Sequence, residues 1–176
     1  MTGAVQATVV EKSSEDLSGD AVGQMLACAH SLRDKRIEHA YVFNEHGKML
    51  YSLKGERARI RFDHRDLFRL ANTIFMHNHP AGGAFSLADL YVACAFEMLA
   101  MIVVTDSFLY TIKPPYAGQH FTRAHYTDIA RCFTIRSRML PLSEQLTVGD
   151  RVWFQVARDL DMEFRKYSFV KRPGST

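Results

Sequence analysis

The sequence predicts a mixed α/β (α+β) domain, and three observations carry that reading. Residues 37–43 and 49–53 are strand-like runs around Asn44-Glu-His-Gly47, the pattern of a β-hairpin. Residues 73–77 read as a strand around the apolar run 74–76, which Pro80 and Gly82-Gly83 bring to a stop before a helical pattern opens at Ser86. Two more strand-like runs, 101–105 and 108–112, surround the turn Asp106-Ser107. At 176 residues the chain suits one domain with a full core.

Residues 1–18 are polar and read as a loosely attached arm, leaving 19–170 as a single domain. Asp20 is placed to cap a helix over 21–33, whose stripe is Val22, Met25, Leu26, Ala29 and Leu32. In the first strand Glu38, Ala40 and Val42 share one face, while Ile37, His39, Tyr41 and Phe43 share the other. Residues 58–62 alternate apolar and basic side chains, as a half-buried strand does. Asp63 can cap a short helix over 64–71 with Leu67, Phe68 and Leu70 inward. The helix from Ser86 is expected to run to about Ala100 and, being apolar nearly all round, to be buried. Residues 113–115 then close the sheet region.

The stretch from about 118 to 167 reads as a C-terminal helical extension. One helix is expected over 121–139, with Phe121, Ile129, Phe133 and Ile135 inward and a stop before Pro141. A second is expected over 151–167, where Val152, Val156, Leu160, Met162 and Phe164 recur, with Trp153 and Tyr167 as anchors. Both are expected to cap the sheet. His120 and His125, five apart, read as surface residues, and residues 171–176 as a frayed tail.

Chemistry concentrates in residues 74–89, Ile-Phe-Met-His-Asn-His-Pro-Ala-Gly-Gly-Ala-Phe-Ser-Leu-Ala-Asp. Side chains two apart on a strand share a face, so His77 and His79 emerge side by side where the strand ends. Asp89 lies one turn into the next helix. Two imidazoles and a carboxylate make a three-ligand zinc site. Ser86 and Asp89 equally fit a capping box, which would hold Asp89 still without any metal. Glu38, a lone carboxylate on an apolar face, is otherwise costly to bury.

His77-Asn-His79-Pro80 followed by Ser86-x-x-Asp89, with Glu38 on an early strand, resembles the JAMM motif of the JAB/MPN metalloproteases. The Asn and Pro are those of the bacterial branch that includes RadC-like proteins, and the whole form is similar to variants in phage head-associated and polymorphic-toxin proteins. The resemblance covers roughly residues 20–113 and implies a cytidine-deaminase-like sheet flanked by helices. It implies a zinc-dependent peptidase or isopeptidase that cuts an amide bond in a protein substrate with a metal-activated water. His77, His79 and Asp89 would hold Zn²⁺, Glu38 would move the proton, and Ser86 would donate to the oxyanion. The partner would be a protein or peptide, in some members one with a ubiquitin-like tail. The family pattern has ten residues between the second His and the Asp, whereas here there are nine, and Phe85 stands where Pro is usual. Gly82 and Gly83 allow backbone angles that let the shorter loop close, with Phe85 as a hydrophobic staple. That departure keeps open a catalytically inactive JAB-fold binding or scaffold module.

Composition sets the outer bounds. A net charge of +3 with scattered Lys and Arg argues against a dedicated nucleic-acid surface. A RadC-like nucleic-acid role would rest on Arg57, Arg59, Arg61, Arg65 and Arg69. Cys28, Cys94 and Cys132 are far apart and odd in number, which suits a reducing compartment. No apolar run approaches the ~20 residues of a membrane helix, and no signal-peptide pattern opens the chain. A cytoplasmic protein without a membrane partner is expected, delivered to another cell if it acts as a toxin.

Overall fold

The computed structural model describes residues 20–56, 60, 62, 64–139 and 149–169. Six strands form one sheet, with helices on both faces. After α1 (Asp20–Arg33), β1 (His39–Phe43) and β2 (Met49–Lys54) make the expected antiparallel hairpin. Its turn is set by Asn44, whose Oδ1 accepts from the His46 and Lys48 backbone N–H groups at 3.0 and 2.9 Å. Gly47 completes it at φ +78, a region closed to most side chains.

α2 (His64–Arg69) leads to β3 (Ile74–Asn78), which pairs antiparallel with β1 and parallel with β4 (Ala100–Val104). The crossover between β3 and β4 is α3 (Leu87–Ala95). β5 (Phe108–Ile112) returns antiparallel, and its turn is tied by Thr105 Oγ1, which accepts from the Ser107 and Phe108 N–H groups. α4 (Arg123–Arg138), α5 (Gly149–Asp159) and β6 (Phe164–Ser168) follow, and β6 pairs antiparallel with β5. β3 and β4 lie mid-sheet and are buried on both faces, as strands covered on two sides must be.

The two faces bury different helices. Ala40, Val42, Phe75, Met101, Val103, Tyr110 and Ile112 pack with Leu90 and Ala93 of α3, Ile129 of α4 and Trp153 of α5. Phe43, Met76, Ile102, Val104 and Leu109 pack instead with Ala29 and Leu32 of α1. Each fully buried Leu here contributes about 1.5–3 kcal/mol relative to an exposed one.

Several expectations are corrected. The helix from Ser86 ends at Ala95, because Phe96 and Glu97 turn the chain and Ala100 already belongs to β4. It is also not buried all round, since Tyr91 is exposed. The second C-terminal helix stops at Asp159, and residues 164–168 supply the sixth strand, with Phe164 inward. Phe68 is 89% exposed and Ile135 is 53% exposed, so neither packs inward, whereas Leu70, Phe121 and Ile129 do. His125 is half-buried and closes a capping box with Thr122, so it is not a free surface residue. The N-terminal arm, residues 58, 59 and 61 of the expected strand, the Asp63 cap, the Leu67 side chain, Pro141 and the tail fall outside the described residues. So does the Asp20 side chain. Ile60 and Phe62 are described, outside any strand, and are packed against the core.

Candidate metal centre

The local sequence delivers three side chains to one point. β3 carries His77 on the face it shares with Phe75, toward α3. His79 extends the pairing one step beyond β3, its N–H donating to Val104 O at 2.9 Å. The chain then reverses: Gly82 N–H bonds back to His79 O at 3.0 Å, and Gly82 and Gly83 take φ +82 and +91. Ser86 caps α3, and Asp89 in its first turn faces back to the imidazoles.

His77 Nε2 lies 3.3 Å from Asp89 Oδ1, His79 Nε2 lies 3.4 Å from Asp89 Oδ2, and the two Nε2 atoms are 3.0 Å apart. A tetrahedral zinc ion with bonds of about 2.0–2.1 Å sets its ligands about 3.3–3.4 Å apart. The three groups are therefore spaced much as zinc ligands are, with His77 facing Asp89 Oδ1 and His79 facing Asp89 Oδ2. They are the group of His, Cys, Asp or Glu among the described residues whose donor atoms converge in this way, all within 4.8 Å. His77 is 3% exposed, and its Nδ1 is buried with no hydrogen-bond partner among the described residues. His79 Nδ1 faces Gly83 O at 3.4 Å, the outer contact that leaves Nε2 free to ligate.

Capping box and ligand set turn out to be one structure. Asp89 Oδ2 accepts from Ser86 N–H at 2.6 Å and from Ser86 Oγ–H at 2.8 Å, while Asp89 N–H donates to Ser86 Oγ at 3.1 Å. Asp89 Oδ1 is left for His77. The loop with one residue fewer thus does bring Asp89 to the His pair. Phe85 shares a core cluster with Leu90, the residue that a staple at this helix start would meet. Phe85 is buried edge-on against Trp153 and Phe164, and its carbonyl accepts from Trp153 Nε1–H at 2.7 Å. α5 therefore holds the chain where it enters Ser86, a link that nothing in the spacing of residues 85 and 153 announces.

Charge at the centre is mutually supported. Burial pushes the Asp89 carboxyl up, but the imidazoles of His77 and His79 outweigh it and hold the group well below its ordinary range. Burial favours neutral His79, yet its contacts with Asp89, the charge of Glu38 and the Gly83 carbonyl raise its pKa overall. Glu38 is half-buried, and burial raises its pKa against the pull of His77 and His79, with Asp89 adding to the rise.

The structure places Glu38, Ser86, His77, His79 and Asp89 around one cleft of about 370 Å³. Its far wall is apolar, formed by Ile60, Phe62, Phe75, Val92 and Met101. The β1–β3 register explains Glu38. Ala40 stands opposite His77, so continuing two residues sets Glu38 beside His79. Asn78, between the two histidines, alternates to the other face of the strand and is buried there.

Among the described residues, the other candidates do not join this cluster. Arg57, Arg59 and Arg61 lie outside the described residues, Arg65 is exposed, and Arg69 stacks over the Tyr51 ring at 4.2 Å. The three cysteines are unpaired, and burial pushes the Cys94 thiol up to about 12, so it is inert. No helix among the described residues is long and apolar enough to cross a membrane. Compared with protein-family models, with curated proteins and with solved structures, the chain matches none.

Proposed function

We propose that this protein is a zinc-dependent peptidase or isopeptidase of the JAB/MPN kind, with a cytidine-deaminase-like sheet. The observation that carries the reading is the His77–His79–Asp89 cluster, with pairwise contacts of 3.0–3.4 Å, beside a half-buried Glu38. A zinc ion held by three protein ligands leaves a fourth position open, where it activates water and polarises a carbonyl. Glu38 would then take a proton from the attacking water and give it to the leaving amine. Its raised pKa moves it toward the range in which a carboxylate both accepts and returns a proton near neutrality. Ser86 lines the cleft and would donate to the oxyanion once its hydroxyl turns from Asp89 Oδ2. The apolar wall suits a peptide lying across the cleft, and the substrate is a protein or peptide amide. The unpaired cysteines fit work in a reducing cytoplasm.

One observation favours a second reading. The capping box alone accounts for the position of Asp89, so the same geometry suits a JAB-fold binding module without activity. Elemental analysis separates the two. The enzyme reading expects about one zinc per chain, lost in His77→Ala, together with zinc-dependent cleavage of peptide and isopeptide substrates. Glu38→Gln should keep the fold and the zinc while abolishing cleavage. Protein purified and reconstituted with Zn²⁺ that binds no metal would sink the proposal.

A further inference from the structure

We propose that Asn78, the residue between the two histidines, is a positioning residue that sets Glu38 against the metal centre. It has this role only if Glu38 has the one proposed above. Successive side chains on a strand point to opposite faces, so Asn78 leaves β3 away from His77 and His79. It is 2% exposed and makes three hydrogen bonds there. Its Oδ1 accepts from the His39 N–H at 2.7 Å, and its Nδ2 donates to the carbonyls of Lys35 and Ile37, both at 3.1 Å. These contacts bracket Glu38 in the chain.

The opposite edge of the same segment is tied to the chain just beyond β2. Glu38 N–H donates to Glu56 O at 3.1 Å, and Glu38 O accepts from Gly55 N–H at 2.8 Å. The backbone ladder between β1 and β3 begins only at Ala40 opposite His77. Beyond that point the Asn78 side chain joins residues 35–39 to the strand that carries the histidines. Only an amide supplies one acceptor and two donors at that reach. Asp cannot donate to the two carbonyls, and Ser is too short to span them. The motif residue that looks like a spacer thus fixes the distance between the proton carrier and the ligands.

The test compares wild type, Asn78→Asp, Asn78→Ser, Glu38→Gln and the double variant Asn78→Asp/Glu38→Gln. Zinc affinity is read by competition with a chromophoric chelator. The visible absorption of the Co²⁺-loaded proteins is read at one neutral pH, because it reports the surroundings of the open coordination position. The Asn78 variants should keep zinc affinity within a few fold, while their Co²⁺ bands move to those of Glu38→Gln. The double variant should coincide with Glu38→Gln, since Glu38 has nothing left to position. Asn78→Ser, which buries no charge, carries the comparison if Asn78→Asp does not fold. A wild-type band in the Asn78 variants, with Glu38→Gln shifted, overturns the positioning role alone. A Glu38→Gln band identical to wild type overturns the role proposed for Glu38, and this inference with it. Loss of zinc binding in a folded Asn78 variant shows that Asn78 holds the histidines instead, which also overturns it.

Discussion

Asp89→Asn separates the two duties of one carboxylate, and the size of each follows from its contacts. In chelator, an amide oxygen can still accept from the Ser86 N–H, so α3 keeps part of its cap. What goes is the charge. Two charge-assisted bonds from Ser86 fall from about 1.5–3 to about 0.5–1.5 kcal/mol each, and about 0.3–1 kcal/mol of helix N-terminal charge is lost. A total of about 2–4 kcal/mol lowers Tm by about 4–16 °C in a chain of this size. With Zn²⁺ at a hundred times its Kd, wild type should gain about 2.7 kcal/mol, or about 5–11 °C. Asp89→Asn should gain little, because the ligand set has lost its anion. Ser86→Ala should start lower than wild type by the cost of a cap, about 1 kcal/mol, and still gain most of the metal's increment. Thermal melts with EDTA and with Zn²⁺ read all of these quantities. An equal zinc increment in wild type and Asp89→Asn would refute the ligand assignment, whereas no increment in either would leave only the cap.

Three further outcomes are expected. Trp153→Phe removes the N–H that satisfies the Phe85 carbonyl and leaves a void, costing about 2–4 kcal/mol, and a urea midpoint unchanged from wild type would contradict it. Gly83→Ala meets no atom within 4 Å, so its cost, about 1 kcal/mol, comes from φ +91 alone; a melt that matches wild type would show that the loop relaxes freely. In chelator, stability should depend on pH in both directions. The depressed Asp89 contributes fully above its ordinary 3.8 and is lost as pH falls below that, whereas the raised His79 contributes below its ordinary 6.5 and is lost as pH rises past its higher folded value. Urea midpoints against pH should therefore peak between the two, and Asp89→Asn should flatten the profile; an unchanged profile in that variant would break the assignment.

The candidate site was legible because its ligands are encoded by short-range rules. His-x-His on a strand and Ser-x-x-Asp at a helix start each fix geometry within four residues, and only the loop between them had to be guessed. Glu38 was legible for the same reason, since its face followed from strand alternation. Trp153 and Asn78 were read without their roles because those roles are long-range. The indole meets a carbonyl 68 residues away, and the amide meets groups 39 to 43 residues away. No pattern in a single sequence carries such pairs.

The two misjudged helix ends share one physical cause. A helix commonly stops on a left-handed residue, usually Gly, with the next N–H reaching back five residues in a Schellman turn. After α3 that residue is Glu97 at φ 54, and Met98 N–H bonds to Ala93 O at 3.0 Å. After α5 it is Asp161 at φ 48, and Met162 N–H bonds to Ala157 O at 2.8 Å. Each turn also buries an apolar pair across it, Met98 with Ala93 and Met162 with Ala157. That burial offsets the roughly 1–2 kcal/mol a side chain costs in the left-handed region. The stop is thus imposed by packing, with no Gly to mark it, and both helices were read too long. Past Asp161 the apolar residues Met162 and Phe164 are two apart, while Leu160 and Phe164 are four apart, so helix and strand periods coincide there. The arbiter is the free edge of β5, whose five-residue pairing with Phe164–Ser168 a continued helix would have left unmade.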